Sequence, residues 1–473
     1  MKNKRFVFTI KKDLENFLED EAKFYGTSQS KTLNKLIAKY KDAKNDLDLS
    51  DEKGHTNQLV EIIKSHMYCQ EYEVVLNIFL TTDYIVLAKN IDADLAIYII
   101  RELIRKYPDE DNLLLIYSKF LKHKGLYEES INTLMMINDK EKFYKYLLLA
   151  QINIARGKIE EARICIINAQ VGLNLKTLSP DYKRRNEDLT ITKAEFIWID
   201  EGVSAAIKYI TPHTEHCSPR FKGIGFALLG EFLRDKGEYI KAENYYIKSI
   251  YILKDVYEYG YIIRSFKGLG SIYKNKGDLI KASKYIFHAL ELGRDYKDAL
   301  ILGNVLGSTG SLYQSKGELQ LADIAYEEKK SIGIKMVSLR ESFYANYDLC
   351  LSSIEQGNLT KGRLLIEENE NDGKQFKRDY YSNIWKGYID SFDNTKQGID
   401  MVRNSKRHAI ETHEDKRINI AEYVEGAIYY KDHSFNSVGE KMLTNLLKKE
   451  DLSDQIRKGI GAIFNGSKYI KSV

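Results

Sequence analysis

The sequence predicts an all-α protein, a right-handed α-solenoid of stacked helix pairs behind a small N-terminal head. Three observations carry the prediction. Glycines 237, 277, 317 and 357 recur at a fixed step of 40 residues, and self-similarity at fixed spacing is the mark of a repeat architecture. Only 4 prolines occur among 473 residues, while Leu, Ile, Lys, Glu and Tyr abound, a composition that suits helix nearly throughout. The first 42 residues follow a different pattern and hold the chain's basic excess.

The repeat is clearest in four phrases, LRDKGEYIKA, YKNKGDLIKA, YQSKGELQLA and IEQGNLTKG, each built around one of the spaced glycines. In the second copy Gly270, Ala282 and Ala289 are small enough for two antiparallel helices to approach closely, and Gly277 supplies the permissive backbone between them. Phe266, Leu269, Tyr273 and Ile286 fill the groove. These offsets resemble the tetratricopeptide repeat, most closely over Phe266–Leu290 and well over Phe226–Ile250. The copy around Leu306–Lys329 is looser. That around Asn346–Asn369 is weaker still, because Gly362 stands where an alanine is usual. The step of 40 implies longer helices or connections than the usual 34-residue unit. Gly125 and Gly157 sit in related phrases, LKHKGLYEES and ARGKIEEA, so repeats begin well before residue 223.

A chain of this length exceeds one compact core, although a solenoid requires none. No apolar run reaches the 18 residues of a membrane span, and no apolar signal segment opens the chain. Cys69, Cys165, Cys217 and Cys350 are scattered, as expected of free thiols in a reducing cytoplasm. Net charge is +4, but residues 1–45 contain eleven Lys/Arg against six Asp/Glu. A polyanionic partner is therefore sought at the head.

Within the head, Phe6, Phe8 and Ile10 alternate with Arg5, Val7 and Thr9, the period of a strand with one apolar face. Leu14, Phe17, Leu18, Ala22 and Tyr25 then recur at helical spacing. Gly26 ends that helix, and Thr27 or Ser28 can cap a second one, which runs to about Lys41. A lone strand must pair with another chain. This order and these lengths resemble the ribbon-helix-helix DNA-binding domains of the Arc and MetJ type, in which two chains pair their strands into a ribbon that enters the major groove. The resemblance implies a homodimer on double-stranded DNA. It places Arg5, Val7 and Thr9, with Lys4 beside them, against the DNA, and Ser28, Gln29 and Ser30 on a phosphate. Val7 departs from the family's usual polar residue, so specificity falls to Arg5, Thr9 or DNA shape.

The expected domains are the head at 1–42, a polar linker at 43–56 and a helical repeat domain at 57–473. Connections are expected between Leu175 and Asp188 and from Thr211 to Arg220, and the last hundred residues are expected to form divergent repeats and a capping helix that ends near Tyr469. No Walker loop, nucleophile elbow or HExxH motif is present. His213, His216 and Cys217 have metal-like spacing but lack a second pair. The expectation is a non-enzymatic protein with no catalytic residues, no metal and no cofactor.

Helix pairs leave a concave surface on which extended peptides dock. By phase, Glu231, Arg234, Arg264, Lys267, Asn275, Asn304, Gln314, Tyr344 and Tyr347 face inward. Asn and Gln can hold a peptide backbone, and Arg a carboxylate. A DNA-binding head before such repeats resembles the peptide-pheromone regulators of the Rap, NprR, PlcR and arbitrium-receptor type, although those regulators usually carry a helix-turn-helix. The resemblance implies a cytoplasmic transcriptional regulator whose repeats take a short peptide or protein partner, with quorum sensing or phage lysogeny as its setting. An interaction scaffold that dimerises through the head and sequesters a protein is the alternative.

Overall fold

The computed structural model describes residues 56–138, 142–174, 181–215, 217–256, 258–375, 379–411, 415–449 and 452–470. The head residues Lys4, Arg5, Val7, Thr9, Ser28, Gln29 and Ser30 lie outside them, so the ribbon-helix-helix expectation does too. Gly54–Val473 forms one compact unit.

That unit is a stack of α-helices. They are α1 (Thr56–Tyr68), α2 (Tyr72–Thr81), α3 (Tyr84–Asn90), α4 (Ala93–Lys106), α5 (Asp111–His123), α6 (Tyr127–Met136), α7 (Lys142–Arg156) and α8 (Ile159–Asn174). Next come α9 (Tyr182–Asp200), α10 (Val203–Ile210), α11 (Pro219–Asp235), α12 (Tyr239–Leu253), α13 (Tyr259–Asn275), α14 (Leu279–Tyr296), α15 (Ala299–Ser315) and α16 (Leu319–Lys335). The last are α17 (Leu339–Glu355), α18 (Leu359–Gln375), α19 (Asp379–Asp390), α20 (Thr395–Glu411), α21 (Asp415–Lys431), α22 (Asn436–Leu447) and α23 (Asp454–Phe464). From α5 onward each odd-numbered helix packs on its even-numbered successor and also touches the next odd-numbered helix. The odd helices therefore form the inner layer.

The spaced glycines do what their period implies. At Gly237, φ is 90°, the Gly237 amide donates to the Arg234 carbonyl at 3.0 Å and the Glu238 amide donates to Leu233 at 2.8 Å. This pair of bonds closes the end of a helix only when the residue between is left-handed. The same pair recurs at Gly125, Gly157, Gly277, Gly317 and Gly357. Within the pairs, Gly230, Gly270 and Gly310 lie against Tyr246, Ile286 and Tyr326, and Ala242, Ala282 and Ala322 are fully buried. Large faces small at a 40-residue step, which keeps paired helices close.

Two connections differ from expectation. Helix resumes at Tyr182 rather than beyond Asp188, because Arg185 and Leu189 are drawn into the interior. Pro219 starts α11 instead of interrupting the chain; it occupies the first turn, where its missing N–H costs nothing, and the Ser218 hydroxyl accepts from the Phe221 amide at 3.1 Å. The last helix ends at Phe464, and Ile470 beyond it is fully buried, its amide donating to the Tyr388 hydroxyl at 3.1 Å.

The stack curls until distant repeats meet. Helix α17 packs on α7. Met336 is fully buried among Leu114, Leu115, Leu147 and their neighbours, with its side chain against Gly125. The Ser338 hydroxyl donates to the Ala155 carbonyl at 2.7 Å. One repeat earlier, His123 Nε2 donates to the Tyr296 carbonyl at 2.7 Å, the two rings meet edge-on at 4.8 Å, and Lys297 pairs with Asp92. Both seams use left-handed residues other than glycine, Lys297 (φ 57°) and Val337 (φ 50°).

Candidate functional site

Closure leaves the inner helices facing a shared polar lumen. Two ladders of alternating charge cross its wall. In the first, Arg220 of α11 donates to Asp188 of α9 at 2.7 Å and to Glu258, just before α13, at 2.5 Å. In the second, Arg264 of α13 donates to Glu195 of α9 and to Glu231 of α11, both at 2.5 Å, and the Lys267 ammonium lies 3.4 Å from Glu231. Each ladder joins three successive inner helices, so the pairs also set the curvature of the wall.

Burial governs the charge states. Glu231 is 2% exposed. Its burial would raise the carboxyl pKa, but Arg264, Lys267 and Arg234 outweigh that and hold it well below the carboxylate range. Burial likewise opposes the charge on Arg220, yet Asp188 and Glu258 keep its pKa above the ordinary value. Glu258 goes the other way: burial raises its pKa, and Arg220 offsets this only in part.

The surface continues from α9 onto α7, α5 and α3. Lys119 lies between the rings of Tyr84 and Tyr144, 5.3 and 5.4 Å from their centres. Lys122 donates to the Gln151 side-chain carbonyl at 2.7 Å. Arg184 of α9 reaches across to Asp83 at 2.7 Å. Asp298 caps α15 by accepting from the Ile301 amide at 2.9 Å, and its other oxygen is 3.4 Å from His123 Nδ1. The charges of Asp83, Lys119, Arg184 and Asp188 are near enough to act on one another, as are those of Lys122, Asp298 and Glu195.

The sequence-predicted positions fall into separate places. Glu231, Arg264 and Lys267 come together on this wall and are already engaged with one another. Arg234 adds its charge there while bonding Asp235 at 2.7 Å. Asn275, at the end of α13, instead donates to the Tyr239 hydroxyl of the preceding helix pair at 3.2 Å. Asn304 donates to the Leu300 carbonyl of its own helix at 2.9 Å. Gln314 bridges α15 to α17, donating to Glu355 at 3.1 Å and accepting from Tyr326 at 2.9 Å. Tyr344 packs edge-on to Phe343. The Tyr347 hydroxyl accepts from Trp385 at 2.8 Å and Arg417 at 3.1 Å, joining three inner helices. Asp83, Tyr84, Lys119, Lys122, Asp188, Glu195, Arg220 and Glu258 escaped the sequence reading. Steps of 32 and 38 residues separate Asp188, Arg220 and Glu258, so their alternating charge at near-repeat spacing was the available signal.

Elsewhere, the His213 and Tyr209 rings meet at a tilt with centres 5.2 Å apart, and the Cys217 thiol donates to the Thr214 carbonyl at 3.4 Å; His216 lies outside the described residues. Among the described residues no three His, Cys, Asp or Glu side chains gather as metal ligands, and no helix is long and apolar enough to cross a membrane.

No protein-family model matches the chain, and no curated protein matches it. Solved structures do. The APC/C hetero-tetramer Cut9–Hcn1 matches with a TM-score of 0.54 at 13% identity, over 86% of this chain and 76% of that one. A Rap protein complexed with competence and sporulation factor gives 0.47 at 14% identity, over 79% and 99%. Aspartyl phosphate phosphatase F from Bacillus subtilis gives 0.46 at 12% identity, over 78% and 93%. The fold is thus an all-α solenoid of tetratricopeptide-like helix pairs.

Proposed function

We propose that the chain is a non-enzymatic, ligand-responsive regulator: its repeat domain takes a short peptide or an extended protein segment in the lumen, and its head, as a homodimer, binds double-stranded DNA. The observation that carries the ligand half is the closed inner wall. It offers fixed donors, acceptors and tyrosine rings on five successive inner helices, the surface an extended peptide needs. The ladders supply a means of response. A ligand group that competes for Arg220 or Arg264 alters the pairs that hold α9, α11 and α13 together, and it shifts the protein only through its different affinity for the two arrangements. The DNA half rests on Lys4, Arg5, Val7, Thr9 and the turn at Ser28–Ser30 in the sequence. The peptide contacts assigned to Glu231, Arg234, Arg264, Lys267, Asn275, Asn304, Gln314, Tyr344 and Tyr347 belong to the same proposal.

A genomic-DNA pull-down with the full chain, sequenced beside an Arg5→Ala/Thr9→Ala variant, tests the DNA half. Sharp sites lost in the variant are expected. Absence of salt-sensitive DNA binding by the intact protein would instead favour the scaffold. Hydrogen exchange across α5, α9, α11 and α13, with and without heptapeptides selected by display, tests the ligand half; unchanged exchange sinks it.

A further inference from the structure

The cations of the lumen differ in whether a carboxylate matches them. Arg184, Arg220, Arg264 and Lys267 each lie within ion-pair distance of a carboxylate. Lys119 and Lys122, one turn apart on α5, do not. Among the described residues the Lys119 ammonium has only the faces of Tyr84 and Tyr144, and Lys122 has the neutral amide oxygen of Gln151. The Tyr84 ring is pinned by its own hydroxyl, which donates to the Lys119 carbonyl at 3.2 Å. Aromatic faces steady a cation but leave its N–H groups open.

A cation withdrawn from water without a counter-ion is costly. Burial lowers the pKa of both lysines, that of Lys119 to about 8, and the more distant Asp188 and Asp83, or Asp298 and Glu195, offset this only in part. An anion seated between the two ammoniums would relieve that cost. Its charge is limited by the same four carboxylates, which repel a dianion more than a monoanion. The site therefore suits a carboxylate better than a phosphate.

We propose that Lys119 and Lys122 form the carboxylate anchor of the lumen, holding an acidic side chain or the free C-terminus of a bound peptide between their two ammoniums, with Lys119 steadied by the rings of Tyr84 and Tyr144. The proposal rests on the peptide-binding reading above and adds the charge of the ligand and the end of the lumen that receives it.

Calorimetry with the full chain tests it at equal ionic strength, using as probes tri-glutamate with a free C-terminus and tri-serine and tri-lysine that are acetylated and amidated and so carry no carboxylate. Tri-glutamate is expected to bind the wild type at least tenfold more tightly than tri-serine. The Lys119→Met/Lys122→Met variant should lose that preference, and Lys119→Arg/Lys122→Arg should keep most of it. Amidated tri-glutamate and acetyl-trialanine with a free C-terminus separate side-chain from terminal recognition. Equal binding of tri-glutamate and tri-serine, or undiminished tri-glutamate binding to a folded Met variant, overturns the anchor. A display selection that enriches no heptapeptide, while tri-glutamate still binds through the lysines, overturns the peptide reading and not the anchor.

Discussion

Replacing Glu231 by Gln removes one charge from the centre of the second ladder and almost no volume. The carboxylate it removes is 2% exposed and accepts from Arg264 at 2.5 Å, with Lys267 3.4 Å away. Taking one partner from a buried pair costs about 3–5 kcal/mol, because the remaining charges stay desolvated. Arg264 keeps Glu195, so the lower end, about 3 kcal/mol, is expected. Urea unfolding followed by tryptophan fluorescence can read the loss locally: Trp198 packs on Phe232, next to Glu231, with ring centres 5.5 Å apart. The chain has 2 tryptophans, so a Trp385→Phe background isolates this signal. The pH dependence adds a second test. The folded pKa of Glu231 lies well below that of the unfolded chain. Its stabilisation is therefore complete above the unfolded value of about 4.3 and is lost as pH falls toward the folded one. The gap between wild type and variant should be flat from pH 8 to about 5 and shrink below that. A gap under about 1 kcal/mol at pH 7, or one that widens in acid, would refute the reasoning.

Three further outcomes are expected. Val337 takes the left-handed place that glycine fills at residues 237, 277, 317 and 357, with its side chain 51% exposed; Val337→Gly should raise stability by up to about 1 kcal/mol in urea titration, strain relief exceeding the entropy glycine adds to the unfolded chain, and a fall would contradict it. Met336→Ala, which empties the plug between distant repeats, should cost about 2–5 kcal/mol and speed hydrogen exchange in α7 as well as α17; an effect confined to α17 would deny the closure. For Lys119, faced by Asp83, Asp188, Arg184, Lys122, Tyr84 and Tyr144, the folded pKa of about 8 lies below the ordinary 10.5. Its cost is complete below pH 8 and fades as pH rises toward 10.5, so Lys119→Met should be more stable than wild type by about 2–3 kcal/mol at pH 7 and nearly equal to it at pH 10.5; equal stability at pH 7 would count against the unmatched charge.

By itself the sequence determined the repeat and its helix pairs. Gly237, Gly277, Gly317 and Gly357 act through bonds that span six residues, and Gly270 against Ile286 acts within one pair, so both are written locally. The same phase placed Glu231, Arg264 and Lys267 on the inner face. It could not show that they are spent on one another, because that depends on how far each repeat rotates from the last. Only the tertiary structure decided the seams. Met336 meets Gly125, and Ser338 meets Ala155, across about two hundred residues, where small rotations summed over five repeats bring them into register. The same summed rotation brings Lys119 near Asp188 and Asp83, and Lys122 near Asp298 and Glu195, without an ion pair to any of them. Their unmatched charge is a property of the closed lumen, not of either lysine's place in its own helix.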